Sequence, residues 1–489
     1  MVLGTSCVRR PLATCPEKGG ADWREVNSPH FRISTDLGSR VARFTAVELE
    51  QLRAALLLAW GSEVDPPGQV EVIVARSEME LEEFTQGAVL EAFTDSSSRS
   101  PLMVMAGEGL FLREEPEGLQ VQAHELAHHI LRFEMVRQPR WLSEGLATWA
   151  QTVRFSSLRR KATFGGIHWN SLRYVLSHKP LTLEKLWAWD EQPLTSVAET
   201  VPYYASSWLW VVYLMDQHPE RFRDFMDRLG RAEEPRRAWE EAFQGVTGLT
   251  EAVQRYQPQQ KEQLTVELPR ITPKLKVREL DCAEIHALRA RLFLRSPGRR
   301  SLETRLSLAS REVEEALRED PTNVNAVLLQ ASLTVEPEQR LTLAQALVRA
   351  RPESGPAWSL LGQALQETNA PAAAQEQALQ RALKLDPEDV DALVAMAWLH
   401  TERGETAEGL AKAERAVELA PGRASTLEAY AALLFQSGRC EESVIAQQRA
   451  IGIVGAHVTE ALREAAEATQ LAMRRKLAEY MGHCRGEPK

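Results

Sequence analysis

Two histidines stand one helical turn apart in Val121-Gln122-Ala123-His124-Glu125-Leu126-Ala127-His128-His129-Ile130. Positions i and i+4 of a helix share a face, roughly 6 Å apart along the axis, so both imidazoles can reach a single Zn²⁺. Glu125 follows the first histidine, beside the open side of such a metal, where a carboxylate can hold a water. His129 points about 100° away around the helix and reads as a core or surface residue, not a ligand. A catalytic zinc takes three protein ligands and keeps one position for water. Beyond His128 stands Glu144, in Pro139-Arg140-Trp141-Leu142-Ser143-Glu144-Gly145-Leu146-Ala147-Thr148-Trp149. A helix–loop–helix turn of this length brings a carboxylate from the second helix to a metal held by the first. Taken alone, a glutamate such as Glu144 is usually a first-turn residue favoured by the helix dipole.

His124-Glu-Leu-Ala-His128 followed by Trp141-Leu-Ser-Glu144-Gly-Leu-Ala147 resembles the gluzincin metallopeptidases, the peptidase-MA-like clan, and within it a bacterial branch that joins such a domain to tetratricopeptide repeats. The resemblance implies zinc ligands at His124, His128 and Glu144, and a general base at Glu125. It implies a hydrogen-bonding partner for a ligand histidine at Thr148; the alternative for Thr148 is a bond to its own helix backbone. It also implies a tyrosine that stabilises the tetrahedral oxyanion. Tyr203 and Tyr204 occupy that region, and Tyr204 is preferred because Ala-Ser-Ser-Trp208 follows it. Leu102 to Met105 is expected to be the edge strand over the zinc, against which a peptide adds. The N-terminus-gripping G-x-M-E-N of aminopeptidase relatives has no counterpart in Met103-Val-Met-Ala-Gly-Glu-Gly109, so endopeptidase and exopeptidase readings both stay open.

The elements around the motif follow from hydrophobic periodicity. His30 to Thr35 alternates as a strand, and a long helix then carries Val41, Leu49, Leu52, Leu56 and Trp60 on one face. Val70 to Val74 is a buried strand, a short acidic helix runs from Met79 to Phe84, and strands are expected at Val89–Phe93 and Leu102–Met105. From Arg140 onward the chain reads as mainly helical. The stretch 259–280, with its glutamines and prolines, reads as a linker.

Past the linker a period appears. Pro352, Pro387 and Pro421 recur at tetratricopeptide spacing, and Trp358, Leu361 and Gly362 fit the W-x₂-L-G of that repeat. Ala374, Ala382, Ala413, Ala416, Ala431 and Ala450 fall at or near its small packing positions. The expected organisation is therefore an α+β zincin-like metallopeptidase domain over 23–258 and an all-α tetratricopeptide solenoid over 281–455. A disordered N-terminus or lipoprotein-signal remnant occupies 1–22. A capping helix and tail follow over 456–489, with Arg474-Arg475-Lys476 as a solvated face.

At 489 residues, 44% hydrophobic, 26% charged and a net charge of −10, the chain has the balance of a globular protein, with no basic footprint for nucleic acid. No apolar run is long enough for a transmembrane helix. The five cysteines are scattered, which argues against a disulfide framework and against a cysteine-based zinc site; Cys7 and Cys15 are the one local pair that could bridge in an oxidising compartment. Leu3-Gly-Thr-Ser-Cys7 looks like the end of a bacterial lipoprotein signal, so a lipid anchor at Cys7 in the cell envelope and a plain cytoplasmic N-terminus both stay open. The functional expectation is a zinc peptidase with one Zn²⁺ per chain, acting on a peptide or protein, while the concave face of the repeats binds a protein partner. The alternative is a tetratricopeptide scaffold whose zinc domain is structural or vestigial.

Overall fold

In the computed structural model the described residues are 15–61, 65–85, 92–95, 101–107, 119–135, 138–156, 160–191, 197–231, 233–258, 264–295, 300–454 and 460–484. The chain divides into an N-terminal mixed α/β part and a helical repeat array.

The N-terminal sheet contains β1 (Arg24–Asn27), β2 (Phe31–Thr35), β3 (Val70–Ala75), β4 (Ala92–Asp95) and β5 (Leu102–Ala106). Strands β2, β3 and β5 run parallel, with Ile33 opposite Val72 and Ile73 opposite Val104. All six residues of β3 are buried, as expected of a central strand covered on both faces. Strand β4 pairs antiparallel with β5 and forms the outer strand at that end. The expected edge strand, Leu102–Met105, is thus an interior strand, because β4 covers it. Of the strand expected at 89–93, residues 89–91 lie outside the described residues.

On one face of the sheet lie α1 (Ser39–Trp60), which closes on Gly61 in the left-handed conformation, and further along the chain α3 (Gln120–Glu134); the short α2 (Glu78–Thr85) follows β3. Next come α4 (Arg140–Ala150), a small sheet begun by β6 (Arg154–Phe155) and β7 (Lys161–Phe164), α5 (Trp169–Ser177) and α6 (Leu183–Trp187). Then follow α7 (Val197–Gln217), α8 (Pro219–Gly230), α9 (Pro235–Ala242) and α10 (Leu249–Arg255). A single core joins these elements apart from α2. It runs from Phe31 and Leu49 through Leu126 and Trp141 to Trp208, Trp210 and Phe225.

Where a linker was expected, two strands close the domain. Strand β8 (Leu264–Glu267) completes the small sheet against β7, and β9 (Lys276–Glu279) pairs antiparallel with β1 at the far end of the large sheet. The short, mostly exposed strands left no apolar alternation to read.

The array consists of α11 (Cys282–Arg295), α12 (Leu302–Glu319), α13 (Val324–Leu333), α14 (Pro337–Ala350), α15 (Gly355–Glu367), α16 (Ala372–Leu385), α17 (Val390–Arg403), α18 (Thr406–Leu419), α19 (Ala424–Gln436), α20 (Cys440–Val454) and α21 (Glu460–Cys484). It is a tetratricopeptide-like succession of helix pairs. Trp358 donates its indole N–H to the Pro352 carbonyl at 2.8 Å, tying α15 to the preceding turn. Gly362 lets α15 approach α16: a Cβ there would stand 2.3 Å from Leu379 Cδ2. The last helix covers the array with Met473 and Tyr480. The basic patch on it is not wholly solvated, since Lys476 pairs with Glu428 at 2.7 Å and sits 4.9 Å over the Trp398 ring.

The array is not a free appendage. Its first pair packs on the second face of the large sheet, so that Ile285, Leu292, Phe293 and Val313 share a core with Trp23, Ile73, Phe84 and Val104. The buried Glu71 carboxylate of β3 is held between Arg32 and Arg291. Two disulfides, Cys15–Cys282 and Cys440–Cys484, correct the expectation of no disulfide framework, and Cys15 pairs with Cys282 instead of Cys7. Cys15 pairs across 267 positions of sequence, which no local spacing reveals. Cys7 lies outside the described residues.

Candidate metal centre

Helices α3 and α4 meet at the core with their ligand faces toward each other. Leu126, Ile130, Trp141 and Leu146 are fully buried and fix how far each helix is rotated. Helix α4 is in turn pressed on α7 at Gly145, where a Cβ would lie 2.5 Å from Val211 Cγ2 and 2.6 Å from the Ser207 carbonyl oxygen. Only a residue without a side chain permits that approach, and it sets Glu144 opposite the start of α7.

Three donor atoms converge there. His124 Nε2 and His128 Nε2 are 3.2 Å apart, and each is 3.3 Å from Glu144 Oε2. Ligands about 2.0–2.1 Å from a tetrahedral zinc lie about 3.3–3.4 Å from one another, so this triangle has the size of one face of such a site. No hydrogen bond of good geometry reaches the buried Glu144 Oε2. One cation would satisfy both imidazole nitrogens and this oxygen at once. The residues therefore fit a zinc ion. Among the described residues this trio is one of two groups of metal-ligating type whose donor atoms all lie within 4.8 Å of one another.

The electrostatics agree with a charged cluster. Burial pushes the His124 imidazole down, but the adjacent Glu144 carboxylate and the charge of Glu125 outweigh it, and its pKa is raised. Burial pushes the Glu144 carboxyl up, yet His128 and His124 hold it well below the ordinary glutamate value. The carboxylate stays ionised in the protein interior, as a ligand must.

Of the two readings of Thr148, the structure has the bond to its own helix. Thr148 donates its hydroxyl to the Glu144 backbone carbonyl at 2.7 Å, one turn back on its own helix. The hydroxyl at a ligand histidine is that of Ser143, 2.9 Å from His128 Nδ1. With Nδ1 so engaged, Nε2 is left to face His124 and Glu144. Nothing in the sequence marked Ser143 except its place beside Glu144.

Tyr204 lies against the cluster, its ring centroid 6.4 Å from that of His124. Its pKa is raised, first by the Glu144 charge and then by burial, so its O–H remains a donor at neutral pH. Tyr203 packs on Trp189 with ring centroids 4.9 Å apart. Arg140 was missed in the sequence. It stacks 4.4 Å over Trp189, and its Nε lies 4.0 Å from Glu144 Oε1. His168 was missed as well. It caps α5 by accepting from the Ser171 backbone N–H, and burial, followed by the charge of His124, lowers its pKa to about 4. An isolated histidine in an aperiodic segment carried no signal. His129 is buried beside Phe133, and burial with Arg53 and Arg132 lowers its pKa to about 3.

The structure also changes the meaning of the missing aminopeptidase motif. Met103–Gly109 belongs to interior β5 and the residues after it, whereas the outer strand is β4. The absence at Met103–Gly109 therefore says nothing about which end of a peptide the edge would hold.

No protein-family model matches the chain, and no curated protein matches it. Among solved structures it is similar to a thermophilic tetratricopeptide protein of Thermus thermophilus, at 18% identity over 40% of this chain and 98% of that one, with a TM-score of 0.30. YrrB, described as a tetratricopeptide protein with an unusual peptide-binding site, is 21% identical over 36% of this chain and 88% of that one, with a TM-score of 0.25. The human IFIT1 dimer with m7Gppp-AAAA is 12% identical over 76% of this chain and 74% of that one, with a TM-score of 0.32.

Proposed function

We propose that the N-terminal domain is a zinc-dependent peptidase of gluzincin type and that the repeat array binds a protein partner or substrate. The observation that carries this reading is the convergence of His124 Nε2, His128 Nε2 and Glu144 Oε2 at 3.2–3.3 Å, with Glu125 next to the first of them on the same helix. A structural zinc site is normally closed by four protein ligands; three ligands with an adjacent carboxylate favour chemistry.

His124, His128 and Glu144 would hold the metal. Bound zinc supplies a Lewis acid for the scissile carbonyl and lowers the pKa of water to near neutrality. Glu125 takes the proton of the attacking water and passes it to the leaving amine. Tyr204 donates its O–H to the developing oxyanion. Ser143 keeps the His128 ring in one tautomer, and Arg140 balances the charge on the outer oxygen of Glu144. Strand β4 offers backbone groups to which an extended peptide can add as another strand.

A cleft of about 930 Å³ opens between the sheet and the array, with Arg32 and Arg291 on the sheet-facing side and Asp389 and Asp391 on the repeats. Its mixed charge suits a polar peptide segment, which makes it the preferred seat for the partner.

The test pairs metal analysis with peptide-library cleavage on wild type, Glu125→Gln and Tyr204→Phe. The expected result is about one zinc per chain in all three. Cleavage is lost in Glu125→Gln and falls about 10²–10³-fold in kcat in Tyr204→Phe. Zinc binding with no turnover of any peptide by wild type would instead make the chain a repeat scaffold with a non-catalytic metal domain.

A further inference from the structure

A second group of metal-ligating type lies where the N-terminal segment meets the array. Cys15, just before the sheet, and Cys282, the first residue of α11, form a disulfide. His286, one turn further along α11, places Nε2 3.3 Å from Cys15 Sγ. The three side chains offer donor atoms within 4.8 Å of one another.

The histidine is held as metal-bound histidines are. Its Nδ1 is 2.7 Å from Glu312 Oε2, and the other oxygen of Glu312 takes Arg289 Nε at 2.8 Å. A carboxylate behind an imidazole fixes its tautomer and raises the basicity of the far nitrogen. With its Nδ1–H donated to Glu312, the ring presents Nε2 to Cys15. A disulfide sulfur has no proton to give that nitrogen, whereas a thiol has one and a cation shared with the thiolates satisfies it better still. Cys282 stands in the first turn of a 14-residue helix, where the backbone amides favour a thiolate.

We propose that Cys15, Cys282 and His286 are the ligands of a second, thiolate-containing zinc site that forms when their disulfide is reduced. A dithiol reductant supplies two electrons and two protons to the S–S bond and is itself oxidised to a disulfide. Zinc then displaces one proton from each thiol, and the fourth position is left to water. Two thiolates and one imidazole are a donor set zinc accepts readily. The same three residues thus clamp the N-terminal segment to the array in both redox states, by a covalent bond in one and a cation in the other.

Cobalt tests this in the full-length chain, because thiolate ligands give Co²⁺ an intense near-ultraviolet charge-transfer absorption. The His124–His128–Glu144 site contains no sulfur and adds nothing to that band, so the outcome is independent of the proposed peptidase. In a Cys7→Ser/Cys440→Ser/Cys484→Ser background, the dithiol-reduced protein is expected to develop the band, saturating at about one equivalent. The oxidised protein is expected to show none. Glu312→Gln, which spares every ligand, should weaken cobalt binding about 10–100-fold, and His286→Ala should weaken it further. In the unsubstituted chain, zinc should protect Cys15 and Cys282 from alkylation after reduction. A reduced protein without the band, a band indifferent to His286→Ala, or thiols alkylated equally with and without zinc would each overturn the proposal and leave a plain structural disulfide.

Discussion

The two halves of the chain use helices in opposite ways. In the N-terminal domain one continuous core gathers residues from Val26 to Val277, and α4 alone is fixed by α3 before it and by α7 some sixty residues later. In the array the cores are small and serial: Val327, Leu347 and Ala357 form one, Leu379, Ala392 and Met396 the next, Leu393, Ala413 and Leu433 another. Geometry accurate enough to bring three donor atoms together needs the first kind of packing. A surface that extends repeat by repeat needs only the second.

Breaking the comparison most severely, Glu144→Ala should take the zinc content from about one per chain to almost none, since two histidines alone leave the coordination incomplete. The far-ultraviolet circular dichroism of the mainly helical chain should barely change, because the array does not depend on the metal.

A matched pair of glycines separates the two architectures. Gly145→Ala and Gly362→Ala each force a Cβ into occupied space and should each cost about 1–3 kcal/mol in a denaturation measurement. Only Gly145→Ala should also weaken zinc binding, because α4 moves away from α7 and takes Glu144 with it. Equal zinc affinity in both variants would show that the site tolerates slack in its core.

Smaller effects sharpen the roles of two hydroxyls. Ser143→Ala should lower zinc affinity about 10–100-fold by releasing His128 Nδ1. Thr148→Val, whose hydroxyl serves only its own helix, should leave that affinity within a factor of about two in the same competition titration.

The smallest effect is a pH dependence carried by Glu50 in the N-terminal domain. Burial pushes its carboxyl up, but hydrogen bonds from His30 and Ser28 leave the pKa below the ordinary 4.5. A depressed carboxyl stabilises the fold above its unfolded pKa and stops doing so as pH falls through the folded value. Glu50→Gln should therefore lower the urea midpoint at pH 7, and the gap to wild type should close as the pH is taken below about 4.5. A gap that stays constant with pH would assign the loss to packing instead.

What the sequence disclosed follows from the same contrast. The repeats were legible because Trp358, Leu361, Gly362 and the small alanines recur within neighbouring helices, so pattern and packing share one period. His124 and His128 were legible because one helical turn relates them. Glu144 was legible only as a candidate until resemblance singled it out, and Tyr204 came through resemblance alone, since the contacts around them run through Gly145, Ser207 and Val211. The pairing of β9 with β1, and of Cys15 with Cys282, spans most of the N-terminal domain and leaves no local trace. The outer strand was misplaced because β5 is the more hydrophobic of the pair, and hydrophobicity marks an interior strand, not an edge. Ser143 and Thr148 both lie near Glu144 on α4, and spacing alone left both readings of Thr148 open. Which hydroxyl faces the histidines depends on the rotation of that helix, and buried Trp141 and Leu146 set it.

The most direct measurement is X-ray absorption at the zinc edge on the oxidised full-length chain, in which all four described cysteines are disulfide-bonded. One zinc per chain in a shell of nitrogen and oxygen ligands at about 2.0–2.1 Å, with the outer-shell scattering of two imidazoles and a signal lost in Glu144→Ala, is the expected result. A sulfur-containing shell, or the same spectrum in Glu144→Ala, would contradict the assignment of His124, His128 and Glu144.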